Sequence, residues 1–220
     1  MLTINALTVG YLKDQPILDG LDLVLHEGDY LAVGGENGAG KTTLVRALAG
    51  ERVWAAGSVQ LKGKELTAMP AWKRQELGLG FYMQGAEVFG RLNCVENLRI
   101  AGSSVPQPRY HETRKWLKTR LPIFNQGAFA NKAGNLSGGE RAQLALAMVL
   151  IGLPKILILD EPSAGLSSAN AEALRMTIAD YLHQFGQGLL LIEQNKSLTE
   201  ALCNRHAWIA GKKLALLPPA

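Results

Sequence analysis

The sequence predicts an α/β fold: a parallel-sheet core, an antiparallel β-subdomain at the N-terminus and a helical subdomain inserted between core strands. Three observations predict it. A short apolar strand, Tyr30 to Val33, runs through a glycine-rich loop into the apolar-periodic helix Thr43 to Leu48, and strand, loop and helix in that order build α/β sheets. Two later apolar runs, Ile156 to Leu159 and Leu189 to Ile192, do not alternate, as expected of strands buried on both faces. Between about residues 86 and 152 the pattern changes to helical spacing.

Taken in order, Leu2 to Val9, Leu21 to Leu25 and Ser58 to Leu61 alternate apolar with polar residues and read as partly exposed antiparallel strands. A strand ahead of Gln84 follows, then helical patterns at Val95 to Ala101, Tyr110 to Thr119 and Gly139 to Leu153, with a loop carrying Pro106 and Pro108. The closing residues Leu216 to Ala220 are expected to add no further element. The chain thus reads as one domain, residues 1–220. About 1–85 and 153–220 form the core with its β-subdomain, and about 86–152 the helical subdomain.

Composition excludes several classes. A chain of 220 residues with 47% hydrophobic content supports one sizeable core. The net charge is +4, but Lys and Arg are scattered apart from the group Arg114, Lys115, Lys118 and Arg120, which speaks against a nucleic-acid partner. Cys94 and Cys203 form no C-x-x-C pair and read as reduced thiols. The longest apolar run, Leu144 to Leu153, is shorter than the roughly 20 residues a bilayer requires. Met1 to Gly10 has no basic start followed by an apolar block. A cytoplasmic protein is expected, joined to a membrane only through a partner. His26, His111, His183 and His206 lack metal-ligand spacing, and Trp54, Trp72, Trp116 and Trp208 read as packing residues.

The loop Gly35-Glu36-Asn37-Gly38-Ala39-Gly40-Lys41-Thr42 fits G-x-x-x-x-G-K-[ST], followed by Thr43. A chance match in a chain this long arises roughly one time in a hundred. Its physics is a helix start prepared for anions: backbone N–H groups point inward and the helix dipole adds positive potential. Lys41 is placed to reach the β- and γ-phosphates of a nucleoside triphosphate, and the Thr42 hydroxyl to coordinate Mg²⁺. Further on, Ile156-Leu157-Ile158-Leu159 ends in Asp160-Glu161-Pro162. That order puts Asp160 at a strand's carboxyl end, where it can hold Mg²⁺ through water, and Glu161 where it can polarise an attacking water. A second anion site is suggested by Leu136-Ser137-Gly138-Gly139-Glu140 at a helix start. Ser137 and Glu140 also fit a capping box, and both roles can hold together. One phosphate chain needs only one such site per subunit, so the second implies a dimer.

In this order the phosphate loop, LSGGE and Asp-Glu make the chain resemble, over essentially its whole length, the ATP-binding subunit of an ATP-binding cassette (ABC) transporter. The resemblance implies a P-loop NTPase with a RecA-like core, ATP and Mg²⁺ as ligands, a second ABC ATPase subunit as partner, and transmembrane permease subunits on the cytoplasmic face of the membrane. It implies that Tyr11, 24 residues before Gly35, stacks on adenine. Gln84 would join core and helical subdomain and contact Mg²⁺ or water. Ser137 to Glu140 would meet the partner's ATP, and Ser163-Ala164-Gly165-Leu166 would touch the partner's site. The permease would dock in the groove around Gln84 to Leu98.

One position departs from the family pattern: Gln194, in Glu193-Gln194-Asn195, stands where most members carry a switch histidine. It can donate to a γ-phosphate but never becomes a cation. Glu193-Gln194-Asn195, the stretch Ala86 to Leu92 with Val95 to Leu98, and Ala133-Gly134-Asn135 resemble one ATPase subunit of branched-chain amino-acid importers or their urea and amide relatives. A glutamine rather than glutamate at position 84 is a mild mismatch to that sub-family. The rivals are an ABC ATPase that moves no solute, such as the iron–sulfur cluster assembly type, and a nucleotide sensor with little turnover.

Overall fold

The computed structural model describes residues 1–51, 53–85, 87–124, 131–185 and 188–218. Ala86, which opens both the predicted helical block and the importer-like stretch, and the terminal Pro219 and Ala220 lie outside the described residues. The first half runs β1 (Leu2–Leu12), β2 (Gln15–Leu25), β3 (Tyr30–Gly35), α1 (Lys41–Ala49), β4 (Trp54–Leu61), β5 (Lys64–Glu65), α2 (Ala71–Glu76) and β6 (Leu79–Tyr82). Three helices follow, α3 (Cys94–Ala101), α4 (Gln107–Lys118) and α5 (Gly138–Ile151). The chain then continues through β7 (Ile156–Asp160), α6 (Ser168–Phe185), β8 (Gly188–Ile192), α7 (Lys196–Leu202), β9 (Arg205–Ala210) and β10 (Lys213–Leu216).

Among the described residues these strands make two sheets. One is antiparallel in the order β2-β1-β4-β5; the other runs β10-β9-β3-β8-β7-β6. In the second sheet β9, β3, β8, β7 and β6 are parallel and only the edge strand β10 is antiparallel. The N-terminal alternation is explained by one dry face: Leu21, Leu23 and Leu25 of β2 are buried while Asp22 and Val24 are exposed. The absence of alternation in β7 and β8 has the opposite cause. Ile156, Ile158, Leu190 and Ile192 point into a core shared with α1 and the antiparallel sheet, while Leu157, Leu159, Leu189 and Leu191 point into a core shared with α3 to α6. Successive residues thus serve opposite apolar layers.

Leu216, expected to lie beyond the last element, ends β10, whose pairing with Ala207 to Ala210 of β9 extends the sheet. This hairpin, α2, α6 and α7 carry weak or mixed periodicity and are not read from the sequence. Trp72 corrects the packing assignment, being exposed on the six-residue helix α2, whereas Trp208, exposed on one side, lays its ring over Gly34 of β3. Trp116 does pack, edge-on against Tyr181 and Phe185.

Candidate nucleotide site

The parallel order β3-β8-β7-β6 brings four carboxyl ends to one edge of the sheet. There β3 delivers Gly35 and the phosphate loop, β8 delivers Gln194, β7 delivers Asp160 and Glu161, and β6 delivers Gln84. Ligands of open α/β sheets bind in this crevice.

The loop from Glu36 to Gly38 is exposed and enters α1 at Gly40. Gly40 has φ 100° and no side-chain cap. A Cβ there would approach Ile17 Cγ2 and Leu18 Cδ2 to 2.8 Å, so both backbone and packing require glycine. The first N–H groups of α1 are thus left for a ligand. Lys41 is buried, and its ammonium donates to the carbonyl oxygens of Gly35 at 2.7 Å and Glu36 at 2.9 Å. The Thr43 side chain is buried, leaving its backbone as the group that can face a phosphate.

Asp160 is fully buried, and among the described residues neither carboxylate oxygen has a hydrogen-bond partner of good geometry. Burial raises its pKa; the adjacent Thr42 hydroxyl opposes this, Glu161 adds to it, and Lys41 and Arg46 oppose it again. An orphaned carboxylate at this depth is costly unless a cation or donor completes it. The donor set, Asp160 beside the Thr42 hydroxyl, consists of hard oxygens and fits Mg²⁺.

Glu161 has φ 46°, in the left-handed region. Its two oxygens each accept one amide: Oε1 from Gln194 Nε2 and Oε2 from Gln84 Nε2, both at 3.0 Å. Gln194 Nε2 also lies 3.4 Å from Asn37 Oδ1 in the phosphate loop, a long contact. Tyr11, exposed on β1, accepts a 2.9 Å hydrogen bond from Arg46 Nη1, which places it beside α1. The structure therefore brings together the phosphate loop, Thr42, Gln84, Asp160, Glu161 and Gln194, with Tyr11 at the flank.

The LSGGE segment stands apart. Ser137 and Gly138 are exposed at the start of α5, and Ser137 and Glu140 form the reciprocal capping box. Among the described residues their side-chain bonds go to each other and to no phosphate-loop residue. Gly139 packs against Asn170 of α6, where a Cβ would come within 2.0 Å of Nδ2. Arg141 holds the Leu136 carbonyl at 3.3 Å.

Three contributors were not assigned roles from sequence. The Glu193 carboxylate joins the loops after β7 and β8. Arg74, buried in α2, donates to four carbonyls. The fully buried Asn97 donates to the Phe89 and Asn93 carbonyls and accepts from Phe89 N–H, which orders the segment after Gln84. Phe89 also borders a cavity of about 560 Å³ beside this edge, lined by Trp72, Met83, Ile100 and Met148 with Glu51 and Glu76. No group of His, Cys, Asp and Glu able to hold a metal by itself occurs among the described residues.

Residues 18–164 match the family described as ABC transporter. The chain is 34% identical over 215 residues to a probable branched-chain amino acid transport ATP-binding protein, LivF, of Archaeoglobus fulgidus, covering 96% of this chain and 89% of that protein. It is 31% identical to the high-affinity branched-chain amino acid transport ATP-binding protein BraG of Pseudomonas aeruginosa, covering 93% and 87%. It is 30% identical to the lipopolysaccharide export system ATP-binding protein LptB of Haemophilus influenzae, covering 96% and 87%. Among solved structures, an ATP-binding subunit of an ABC transporter superposes with a TM-score of 0.85 at 21% identity, covering 99% of this chain and 90% of that one. A dimeric ATP-binding cassette bound to ADP and Pi gives 0.84 at 17%, covering the whole of both chains. The chain belongs to the ABC transporter family. It is an ABC-type ATPase, the ATP-binding subunit of a transporter, with the α/β P-loop NTPase fold of those cassettes. No helix among the described residues is long and apolar enough to cross a membrane.

Proposed function

We propose that the crevice at the sheet's carboxyl edge hydrolyses Mg-ATP to drive import of branched-chain amino acids or a similar small polar solute. The carrying observation is the meeting of Glu161, Gln84 and Gln194 beside the phosphate loop and the orphaned Asp160. Gly35 to Thr43 cradle the phosphates, with Lys41 leaving the two carbonyls to engage them. Tyr11 packs on the adenine. Thr42 and Asp160 hold Mg²⁺, with Gln84 at its edge; the ion neutralises charge developing on the phosphate oxygens. Glu161 orients and polarises water, and Gln194 donates to the γ-phosphate.

The domain is read as residues 1–220, with a nucleotide core at about 1–85 and 153–220 and a helical part at about 86–152. A second ABC ATPase subunit presents its own Ser137-Gly138-Gly139-Glu140 or equivalent to this site, and the exposure of Ser137 and Gly138 supports the reading. The cavity bordered by Trp72, Phe89 and Ile100 supports docking of a permease, which holds the subunit on the cytoplasmic face of the membrane. The relatives LivF and BraG favour amino-acid import, and LptB makes export the competing direction.

Glu161→Gln tests the chemistry. ATP binding should persist, turnover should nearly stop and Mg-ATP should shift the chain to a dimer by sizing; turnover at the parent rate overturns the assignment. Uptake of labelled leucine by cells lacking the gene tests the solute, and unchanged uptake overturns that part.

A further inference from the structure

Strands β7 and β8 are neighbours, with Asp160 opposite Ile192 as the last pair in register. One link follows: the Glu161 N–H donates to the Ile192 carbonyl at 2.8 Å. Past that point the ladder ends and the chain enters two separate loops. One carries Glu161 and the other Gln194, whose side chains must meet to within hydrogen-bond distance. Something besides the sheet has to fix the loops against each other.

We infer that Glu193 is a positioning residue that locks Glu161 and Gln194 into one catalytic unit by tying the loop after β7 to the loop after β8. Its carboxylate divides its lone pairs between them. Oε2 accepts from Ser163 N–H at 3.2 Å and from Ser163 Oγ at 2.8 Å. Oε1 accepts from Gln194 N–H at 2.9 Å and Asn195 N–H at 3.1 Å. Four donors on one half-buried carboxylate, two from each loop, form a cross-link rather than a surface contact.

The backbone at Glu161 shows why a clamp is needed. A non-glycine residue at φ 46° costs on the order of 1–3 kcal/mol and persists only when its surroundings over-determine it. On the N-terminal side the Ile192 carbonyl holds Glu161; on the C-terminal side the Ala164 N–H donates to the Glu161 carbonyl, and Ser163 between them is held by Glu193. Gln194 N–H is pinned by the same carboxylate, so one group anchors the backbone of Gln194 directly and that of Glu161 through Ser163, two residues on. A negative charge this close to Asp160 and Glu161 opposes binding of phosphates, and its presence is explained by the donors it satisfies. Glu193 itself is turned toward Ser163 and accepts from neither side-chain amide, of Gln84 or of Gln194, that Glu161 holds, so it acts through its neighbours.

This inference rests on the reading of Glu161 and Gln194 as catalytic. Steady-state hydrolysis of Mg-ATP by the purified full chain tests it, with Glu193→Ala and Glu193→Gln made alone and on a Gln194→Ala background. Expected is a fall in kcat of about tenfold or more for Glu193→Ala, with KM for ATP within about twofold, because misplacing a catalytic group by an ångström costs up to about a hundredfold while ground-state binding is untouched. Glu193→Gln keeps one acceptor oxygen and should be intermediate. On the Gln194→Ala background the further loss should shrink below about threefold, since residues acting as one unit are not additive. Equal losses on both backgrounds, or a raised KM with kcat kept, would show a brace independent of catalysis and overturn the proposal. If Glu193→Ala does not fold, Glu193→Gln decides: reduced kcat supports the proposal and parental kcat overturns it. Glu161→Gln run alongside separates the two readings. Parental turnover in that variant removes the catalytic assignment itself, whereas its loss beside a parent-like Glu193→Ala removes only the positioning role.

Discussion

Replacing Arg74 by Met should strip the far end of the phosphate-loop helix of its cap. Arg74 is buried in α2 and its guanidinium reaches the Ala47 and Leu48 carbonyls at 2.7 and 2.8 Å through Nη1, Met69 at 2.9 Å through Nε and Thr67 at 2.9 Å through Nη2. Ala47 and Leu48 lie in the last turn of α1, whose carbonyls have no intrahelical donors. The Gly50 N–H still serves Ala47 at 3.2 Å, so the loss falls hardest on Leu48, Met69 and Thr67. Charge-assisted bonds contribute about 1.5–3 kcal/mol each, but four on one group are not additive and the buried cation carries its own desolvation cost. Burial lowers the Arg74 pKa and Glu65 opposes this. Removing the guanidinium leaves neutral buried carbonyls short of a donor at about 1–3 kcal/mol each, so the net cost is on the order of 3–5 kcal/mol. For a chain of this size that lowers the thermal midpoint by roughly 6–20 °C. Arg74→Lys keeps the charge and fewer donors, and should fall between. Differential scanning calorimetry measures both, and a shift under about 2 °C for Arg74→Met would refute the claim that this side chain caps α1.

Other outcomes follow from the same geometry. Lys41→Ala should abolish binding of a labelled ATP analogue, because the buried ammonium is the side-chain cation aimed into the loop; unchanged affinity sinks the phosphate-loop role. Ser137→Arg should spare ATP binding to the monomer yet stop turnover, and full activity would reduce LSGGE to a helix cap. Gln194→His should raise the turnover of an assembled dimer, with Gln194→Ala as control; if neither differs from the parent, Gln194 is a bystander. Partial burial pushes the Glu65 carboxyl up, but the Ser58 and Thr67 hydroxyls and the Thr67 and Val59 N–H groups outweigh it and hold its pKa down to about 2, from 4.5. Its folded-state pKa is depressed, so the stabilisation is full above about pH 4.5 and is lost as pH falls toward 2. The carboxyl is largely exposed, so the contribution is on the order of 1 kcal/mol. Glu65→Gln should flatten the fall in thermal midpoint between about pH 6 and pH 3, and an unchanged pH profile counts against it.

What the sequence made legible is what it holds contiguously. Gly35 to Thr42, Ser137 to Glu140 and Asp160-Glu161 each keep their chemistry within a few residues, and the structure places the first and third in one crevice. The apolar runs of β7 and β8 announced burial on both faces because two cores flank them. Arg74 and Glu193 were not legible, because each owes its role to partners far along the chain: Ala47 is 27 residues from Arg74 and Ser163 is 30 from Glu193. An isolated Arg in a six-residue helix, or a Glu after a strand, carries no periodicity that reveals those partners. Trp72 was misread for the same reason. Its exposure follows from how α2 sits on the cavity wall, and a single aromatic in a sequence says nothing about which side of a helix is covered.

Two adjacent residues serve one site only because the backbone turns between them. In an extended strand neighbouring side chains leave by opposite faces. Ile156 and Ile158 face the core that holds α1, and Asp160 keeps that parity, which brings its carboxylate to Thr42 at the start of α1. Leu157 and Leu159 face the helical core, and Glu161 in a continuing strand would follow them away from the phosphate loop. Its φ of 46° breaks the alternation and turns the carboxylate instead toward Gln84 and Gln194. Under the proposed reaction the cost of that conformation is tied to function: one strand end would supply a buried oxygen ligand for a cation and, one residue later, a half-buried carboxylate for water. Glycine at 161 would adopt the conformation freely but lacks the carboxylate that the proposed reaction uses, so the strain stays with Glu161 and the neighbouring hydrogen bonds must hold it.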